Sequence, residues 1–440
     1  MREMKDSRIK WVKEVPSNWT ISPFKYLLTE NRTKNSQVVE KTALKFTYGE
    51  IVHKDNFDVD KDPSLSDTLA TYTVVQPNDI AINGLNLNYD FISQRIGLVK
   101  ENGVITSAYL IVRVNEKTLE PSFVNYVLKS YDNCKVLHSI GKGVRQTLNF
   151  ECIGDLSVCY PSKDKQKAIA TYLDRKCSAI DTAISHIQKQ IENLEEYKKS
   201  VITQAVTKGL DPNVKMKDSG VEWIGEIPEG WKVGKMKNIA DTSHPYAIGD
   251  GDHGLIKNTD YKDSGIPYIR VLNLTWGYGL NKGNLVYISE EKNALIKNSE
   301  LHPNDVLVAK TGATIGKTAI IPDDMPRANT TAHVGKVTIS PKHSPKFYYY
   351  VLQSDPLQRQ IAFKSSLQAT RPELGNEGLA NLIIPVASLK VEQVIAQYLD
   401  EKCASINEAI AKQRSLIDKM NEYKQSVIYN AVTGKINCTT

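Results

Sequence analysis

The chain of 440 residues has no long hydrophobic run. Its apolar stretches, such as NLIIPVA at 381–387, fall far short of the about 20 residues a membrane-crossing helix needs. Cysteine is sparse: six residues, at 134, 152, 159, 177, 403 and 438, with no C-x-x-C pair. That argues against zinc knuckles and against a disulfide-stapled secreted scaffold. No G-x-G-x-x-G follows a strand pattern, so a dinucleotide or methyl-donor site has no anchor. The eight histidines show no H-E-x-x-H or other metal spacing. The opening MREMKDSRIK is charged and lacks an apolar signal core. The expected location is therefore the cytoplasm, with no membrane partner.

Catalytic motifs are missing as well. TGATIGKT at 311–318 ends like a phosphate loop, but the position of that motif's first glycine holds Thr311, and Gly312 is one residue too close. A tight strand turn presenting Lys310 and Lys317 is the better reading. Asp323 and Asp324 lie between prolines in IPDDMPRA, which suits a solvated turn rather than a metal centre. The chain is expected to be non-catalytic by itself, with no metal and no cofactor of its own. A net charge of +6 permits an anionic partner without demanding one.

What is present is present twice. MKDSRIKWVKEVPSNW from Met4 returns as MKDSGVEWIGEIPEGW from Met216, and IATYLDRKCSAIDTAI from Ile169 returns as IAQYLDEKCASINEAI from Ile395. EYKKSVITQAVT from Glu196 returns from Glu422 at the same offset. Between these boxes a thinner similarity persists: PNDI at Pro77 and PNDV at Pro303, YVLKS at Tyr126 and YVLQS at Tyr350, Arg145 with Leu148 and Arg371 with Leu374. The scaffold of a two-fold repeat is kept and its inserts have diverged.

The second duplicated segment has the alternating three- and four-residue spacing of a coiled-coil seam. The first copy places Leu173, Cys177, Ile180, Ile184, Ile187, Ile191 and Leu194 on one stripe, followed by Lys198. The second places Leu399, Cys403, Ile406, Ile410, Ile417 and Met420 there, followed by Lys424. One such stripe cannot be buried alone, so each helix is the other's expected partner over about 50 Å. Gly209 and Gly434 are the expected stops. Cys177 and Cys403 suit small buried hydrophobes, and the two lysines suit snorkelling or register-setting positions.

The intervening regions carry short Val-, Ile-, Tyr- and Thr-rich runs broken by Gly, Pro, Asn and Asp, which predict strands and loops with a few helices. The expected fold class is α/β (mixed α+β): two variable domains joined by two long antiparallel helices, with a pseudo-two-fold repeat. The expected divisions are 1–162, a first helix over 163–208, a linker and repeated box over 209–231, a second variable domain over 232–388, and a second helix over 389–434. SIGKGVRQTLNF from Ser139 and KSSLQATRPEL from Lys364 occupy equivalent places. Arginine and the side-chain amides bond base edges, and lysine neutralises phosphate. Lys142, Arg145, Gln146, Lys310, Lys317, Gln368 and Arg371 are thus the candidate DNA contacts, each weighed against an exposed loop residue with no ligand.

The duplicated box, variable domain and I-A-x-Y-L-D-x-K helix resemble the specificity subunit of type I restriction-modification systems. The likeness runs over essentially the whole chain, most specifically from Ile169 to Trp231. It implies that each variable domain reads one half of an interrupted double-stranded DNA target. It also implies that the helices form an antiparallel spacer and help dock two modification subunits. Those partners would carry S-adenosylmethionine and methylate adenine, and restriction or motor subunits would carry ATP and Mg2+. A two-fold arrangement would bring the end of the second long helix near the N-terminus. The first box has Arg8, Lys10 and Lys13 and reads VPSNW where the second reads IPEGW, so its acidic and glycine positions are not fully kept and two docking sites on the boxes would be slightly unequal. A non-catalytic coiled-coil scaffold binding proteins or carbohydrates is the alternative, and strongly salt-dependent binding to duplex DNA would discriminate the two.

Overall fold

A computed structural model describes residues 3–87, 94–144, 146–366 and 372–438. The chain forms two compact units, 1–187 with 415–440, and 188–414. Each long helix, Lys163–Lys208 and Leu389–Val432, contributes one part to each unit.

The first unit is built on a four-stranded antiparallel sheet in the order Leu28–Glu30, Leu110–Val114, Ile80–Ile82, Ile96–Leu98. Side chains alternate across a strand, and both faces of this sheet are covered. Ile80, Ile82 and Val112 enter the core shared with Phe123 and Val127 of helix Pro121–Asn133, whereas Ala81 and Ile111 enter a second core with Leu44 and Val75. The second unit repeats the plan, with strands in the order Ile248–Asp250, Val334–Val337, Val306–Ala309, Thr318–Ile320. Val306 and Val308 face Phe347 and Val351, while Leu307 and Ala309 face the opposite core. The Val-, Ile- and Thr-rich runs YLIVRV, DVLVAKTG and GKVTIS fall on these central strands, and ATYTVVQPNDIAI spans Thr73–Val75 and Ile80–Ile82.

The repeated PND[IV] is explained by its turn. Asn78 and Asn304 adopt φ of 76° and 71°, a left-handed conformation asparagine tolerates better than most residues. The following aspartates cap the same turn: Asp79 accepts from Gln76 N at 3.1 Å and Asp305 from His302 N at 2.9 Å. The repeated YVL likewise has a structural reason. Tyr126 Oη donates to Asp174 and Tyr350 Oη to Asp400, each at 2.8 Å, tying a short helix to the YLD turn of a long one.

Within each unit the two long helices run antiparallel. In the first, Leu173 and Cys177 pack with Val427, Ile428 and Ala431, and Lys424 bonds Asp181. In the second, Leu399 and Cys403 pack with Ile202, Ala205 and Val206, while Gln190 meets Gln413 and Lys198 meets Asn407. Of the predicted seam, Leu173, Cys177, Ile180, Ile191, Leu399, Cys403, Ile406 and Ile410 are buried. Ile184, Ile187, Leu194, Ile417 and Met420 are half-buried, because a two-helix face leaves one flank to solvent. Burial pushes the Cys403 thiol up to about 11, as suits a packing residue.

Both helices end at the foreseen glycines, Gly209 at φ 75° and Gly434 at φ 71°, the left-handed stop that lacks a Cβ penalty. Each repeated box is a small hairpin, Met4–Asp6 with Glu14–Pro16 and Met216–Asp218 with Glu226–Pro228, in the same register. Each hairpin covers a helix end: Gly209 lies against Trp231, and Gly434 against Pro16 and Trp19. Tyr429 Oη donates to the Trp11 and Val12 carbonyls at 3.2 and 3.3 Å. The end of the second helix therefore does meet the first box, as the repeat demands. Arg8 and Lys13 hold φ of 57° and 58° where the second box has glycines at 71° and 68°, so the first hairpin is the strained copy.

Candidate nucleic-acid interface

In each unit the connection that leaves one central strand of the main sheet meets the segment just before the last short helix, Phe150–Gly154 or Asn376–Ala380. In the first unit, strand Ile80–Ile82 leads into 83–87, and Leu148 N donates to Gly84 O at 3.0 Å. In the second, strand Val306–Ala309 leads into 310–317, and Leu374 N donates to Lys310 O at 2.8 Å. These are the same hydrogen bond in the two halves, and it explains why Leu148 and Leu374 recur. Gly84 is required there, since a Cβ would stand 2.7 Å from that of Leu148.

The segment so held in the first unit is a hairpin. Lys142 and Thr147 exchange both backbone bonds at 3.0 Å, and Gln146 N closes the turn on Gly143 O. Gly143 at φ 78° and Gln146 at φ 42° give the reversal, and Val144 at its tip is 97% exposed. Gln146 is exposed, and Lys142 is exposed with its ammonium on Glu151 at 2.6 Å. Arg145, Gln368 and Arg371 lie outside the described residues.

Arg95 supports this connection and was not foreseen. Its guanidinium Nη1 donates to Asn83 O at 3.0 Å and Leu85 O at 2.8 Å, and its backbone N donates to Asp132 Oδ2. Asn83 N donates to Arg95 O as Ala309 N donates to Lys317 O, so Lys317, half-buried, is the repeat counterpart of Arg95. The only sequence sign of Arg95 is an arginine directly before the apolar run IGLV.

Lys310 corrects an expectation. It is 1% exposed, and its ammonium is taken up by Asp250 and Asn376. A side chain so enclosed cannot be presented to phosphate, and it secures the loop from beneath instead. Burial would raise the Asp250 carboxyl, but the hydrogen bond and charge of Lys310 outweigh it and hold the group below its ordinary range. The TGATIGKT segment is a short turn leading into strand Thr318–Ile320, whereas a phosphate loop leads into a helix. Asp324 pairs with Lys282 at an exposed surface. Among the described residues there is no cluster of three or more potential metal ligands, and no helix long and apolar enough to cross a membrane.

Residues 228–415 match the family model for the type I restriction modification DNA specificity domain. The chain is 24% identical over 369 residues to the type I restriction enzyme MjaVIII specificity subunit of Methanocaldococcus jannaschii, covering 82% of this chain and 80% of that one. It is 23% identical over 329 residues to the EcoBI specificity subunit of Escherichia coli, covering 74% and 68%. Its fold matches a chain from a structure of type I R-M system assembly and conformational transition, with a TM-score of 0.67 at 12% identity over 96% and 99% of the two chains. The chain is thus similar over most of its length to type I restriction enzyme specificity subunits. The span matched by the family model starts in the second box and ends in the second long helix, so it takes in one copy of the repeat. The other copy shows the same plan in its own bonds, Tyr126 to Asp174 and Leu148 to Gly84.

Proposed function

We propose that this chain is a specificity subunit that reads a bipartite double-stranded DNA target, one half with each unit. The observation that carries the reading is the repeated backbone bond, Leu148 to Gly84 and Leu374 to Lys310, which ties the same strand connection to the chain in both halves and in the first presents the polar 142–147 hairpin. Two readers on one duplex must be held at a fixed separation, because successive major-groove segments recur at about 34 Å. A rigid helix pair is suited to that. Gln146 is suited to a bidentate bond with an adenine edge, while Lys142 and Lys317 are suited to phosphate. Arg145, Gln368 and Arg371 remain sequence-based candidates for the same surface.

The subunit itself addresses a complex rather than performing the chemistry. Two modification subunits would dock on the repeated scaffold and supply S-adenosylmethionine and the methyl transfer to adenine. Restriction or motor subunits would supply ATP and Mg2+. The test is a long-read methylome of a host expressing the cognate modification subunits with and without this chain. Adenine methylation at one interrupted motif on both strands, only when the chain is present, is the expected result. No motif despite co-purification of the proteins would overturn the reading in favour of a scaffold.

A further inference from the structure

The two seam lysines occupy the same place in the repeat and are held differently. Lys424 pairs with the carboxylate of Asp181. At the position equivalent to Asp181 the second unit has Asn407, which accepts from Lys198 Nζ at 2.9 Å but carries no charge. Lys198 is nonetheless 5% exposed. Its ammonium lies 3.8 Å from the ring centroid of Tyr278 and 3.4 Å from Gly277 O. A buried ammonium with no carboxylate in direct contact is stabilised by an aromatic face and a carbonyl dipole, and here both come from one loop, 274–280.

That loop is shaped for the contact. Gly277 and Gly279 take φ of 78° and 73°, and a Cβ on Gly277 would meet Gln353 Oε1 at 2.8 Å and Lys198 Nζ at 3.4 Å. Tyr278 Oη also donates to Glu195 at 3.2 Å. At its other end the loop joins the candidate reading site, since Thr318 N donates to Thr275 O at 3.2 Å directly beside Lys317. A continuous path therefore runs from the helix pair of this unit, through Tyr278, to the strand turn whose Lys310 O holds Leu374 N.

We propose that Lys198 and Tyr278 are positioning residues for DNA-spacing specificity. Clamping loop 274–280 onto the helices fixes how the second reading site is carried on them, and so which separation of the two half-sites is accepted. This rests on the function proposed above.

The test measures adenine methylation by the complete complex on a pool of duplexes holding both half-sites with spacers varied one base pair at a time. Wild type is expected to accept one spacing sharply. Lys198→Met and Tyr278→Ala are expected to reduce the ratio of best to neighbouring spacing by roughly thirtyfold, the scale of a desolvated cation–π contact. The bases required in each half-site should stay unchanged, and Tyr278→Phe, which keeps the ring, should retain the wild-type window. A Tyr278→Ala complex with an unchanged window, or with equal loss at every spacing, overturns the proposal alone. Failure of the wild-type complex to modify any bipartite target removes the functional reading and the proposal with it.

Discussion

Lys424 reaches both carboxylate oxygens of Asp181, at 2.6 and 2.7 Å, across the helix pair of the first unit. The Asp181 side chain is 55% exposed, so water and salt screen the pair. Asp181→Asn, which copies the second unit's Asn407, is expected to cost only about 0.5 kcal/mol, and less at high salt. Urea unfolding at two ionic strengths checks this; a loss several times larger would mean that Lys424 depends on the carboxylate for its burial.

The strained hairpin makes a prediction of opposite sign. Arg8 and Lys13 sit at positive φ where the second box has glycine. Arg8→Gly and Lys13→Gly should each stabilise by about 0.5 to 1 kcal/mol, because relief of left-handed strain exceeds the added freedom of the unfolded chain. Gly220→Ala and Gly225→Ala should destabilise. Shifts in the denaturation midpoint decide it.

The seam is not uniform along its length. Ile410 is 1% exposed whereas Ile184 is half-buried. Ile410→Asp buries a carboxylate with no partner and is expected to abolish soluble, folded protein. Ile184→Asp should be milder, since its side chain can turn to the open flank. Soluble yield and circular dichroism at 222 nm compare the two; equal effects would contradict the observed burial.

Gln146 stands exposed beside the tip of the 142–147 hairpin. Gln146→Ala is expected to weaken recognition of one half-site only, by about 1 to 3 kcal/mol for a bidentate base contact. Methylation rates on targets altered in one half-site at a time measure it. Uniform loss across all sequences would assign the residue to the backbone of the duplex.

The Lys310–Asp250 pair gives an acid dependence. Because Asp250 is held below its ordinary carboxylate range in the folded state, its contribution is complete above the unfolded value of about 3.9 and is lost as the pH falls through the lowered folded value. Lys310→Met strands a largely buried carboxylate and is expected to cost about 3 to 5 kcal/mol at neutral pH. The variant should also lose that part of the acid slope. Urea unfolding across the acid range reads both effects, and an unchanged slope would detach Asp250 from the pair.

Much of the architecture was legible because it is written in short-range rules. A three-and-four spacing identifies a seam whatever it packs on, an asparagine in PNDI or PNDV marks a turn, and Gly209 and Gly434 end helices through their own backbone freedom. The duplication itself, and the identity of the chains it resembles, followed from the same local patterns. The site was less legible. Lys310 and Lys317 look alike in sequence, yet one is enclosed by Asp250 and Asn376 from distant parts of the chain. Arg95 drew no attention because an arginine beside a strand gives no local sign of burial.

The sequence by itself determined the two-fold repeat, the paired helices and their stops, since periodicity and turn chemistry act over a few residues. Only the tertiary structure decided which charges face inward and what meets them. Lys198 and Lys424 share one seam position, but the first is held by an aromatic ring and the second by a carboxylate. The energy of a buried charge depends on groups delivered by chain folding from far away, and spacing along the sequence does not carry that information.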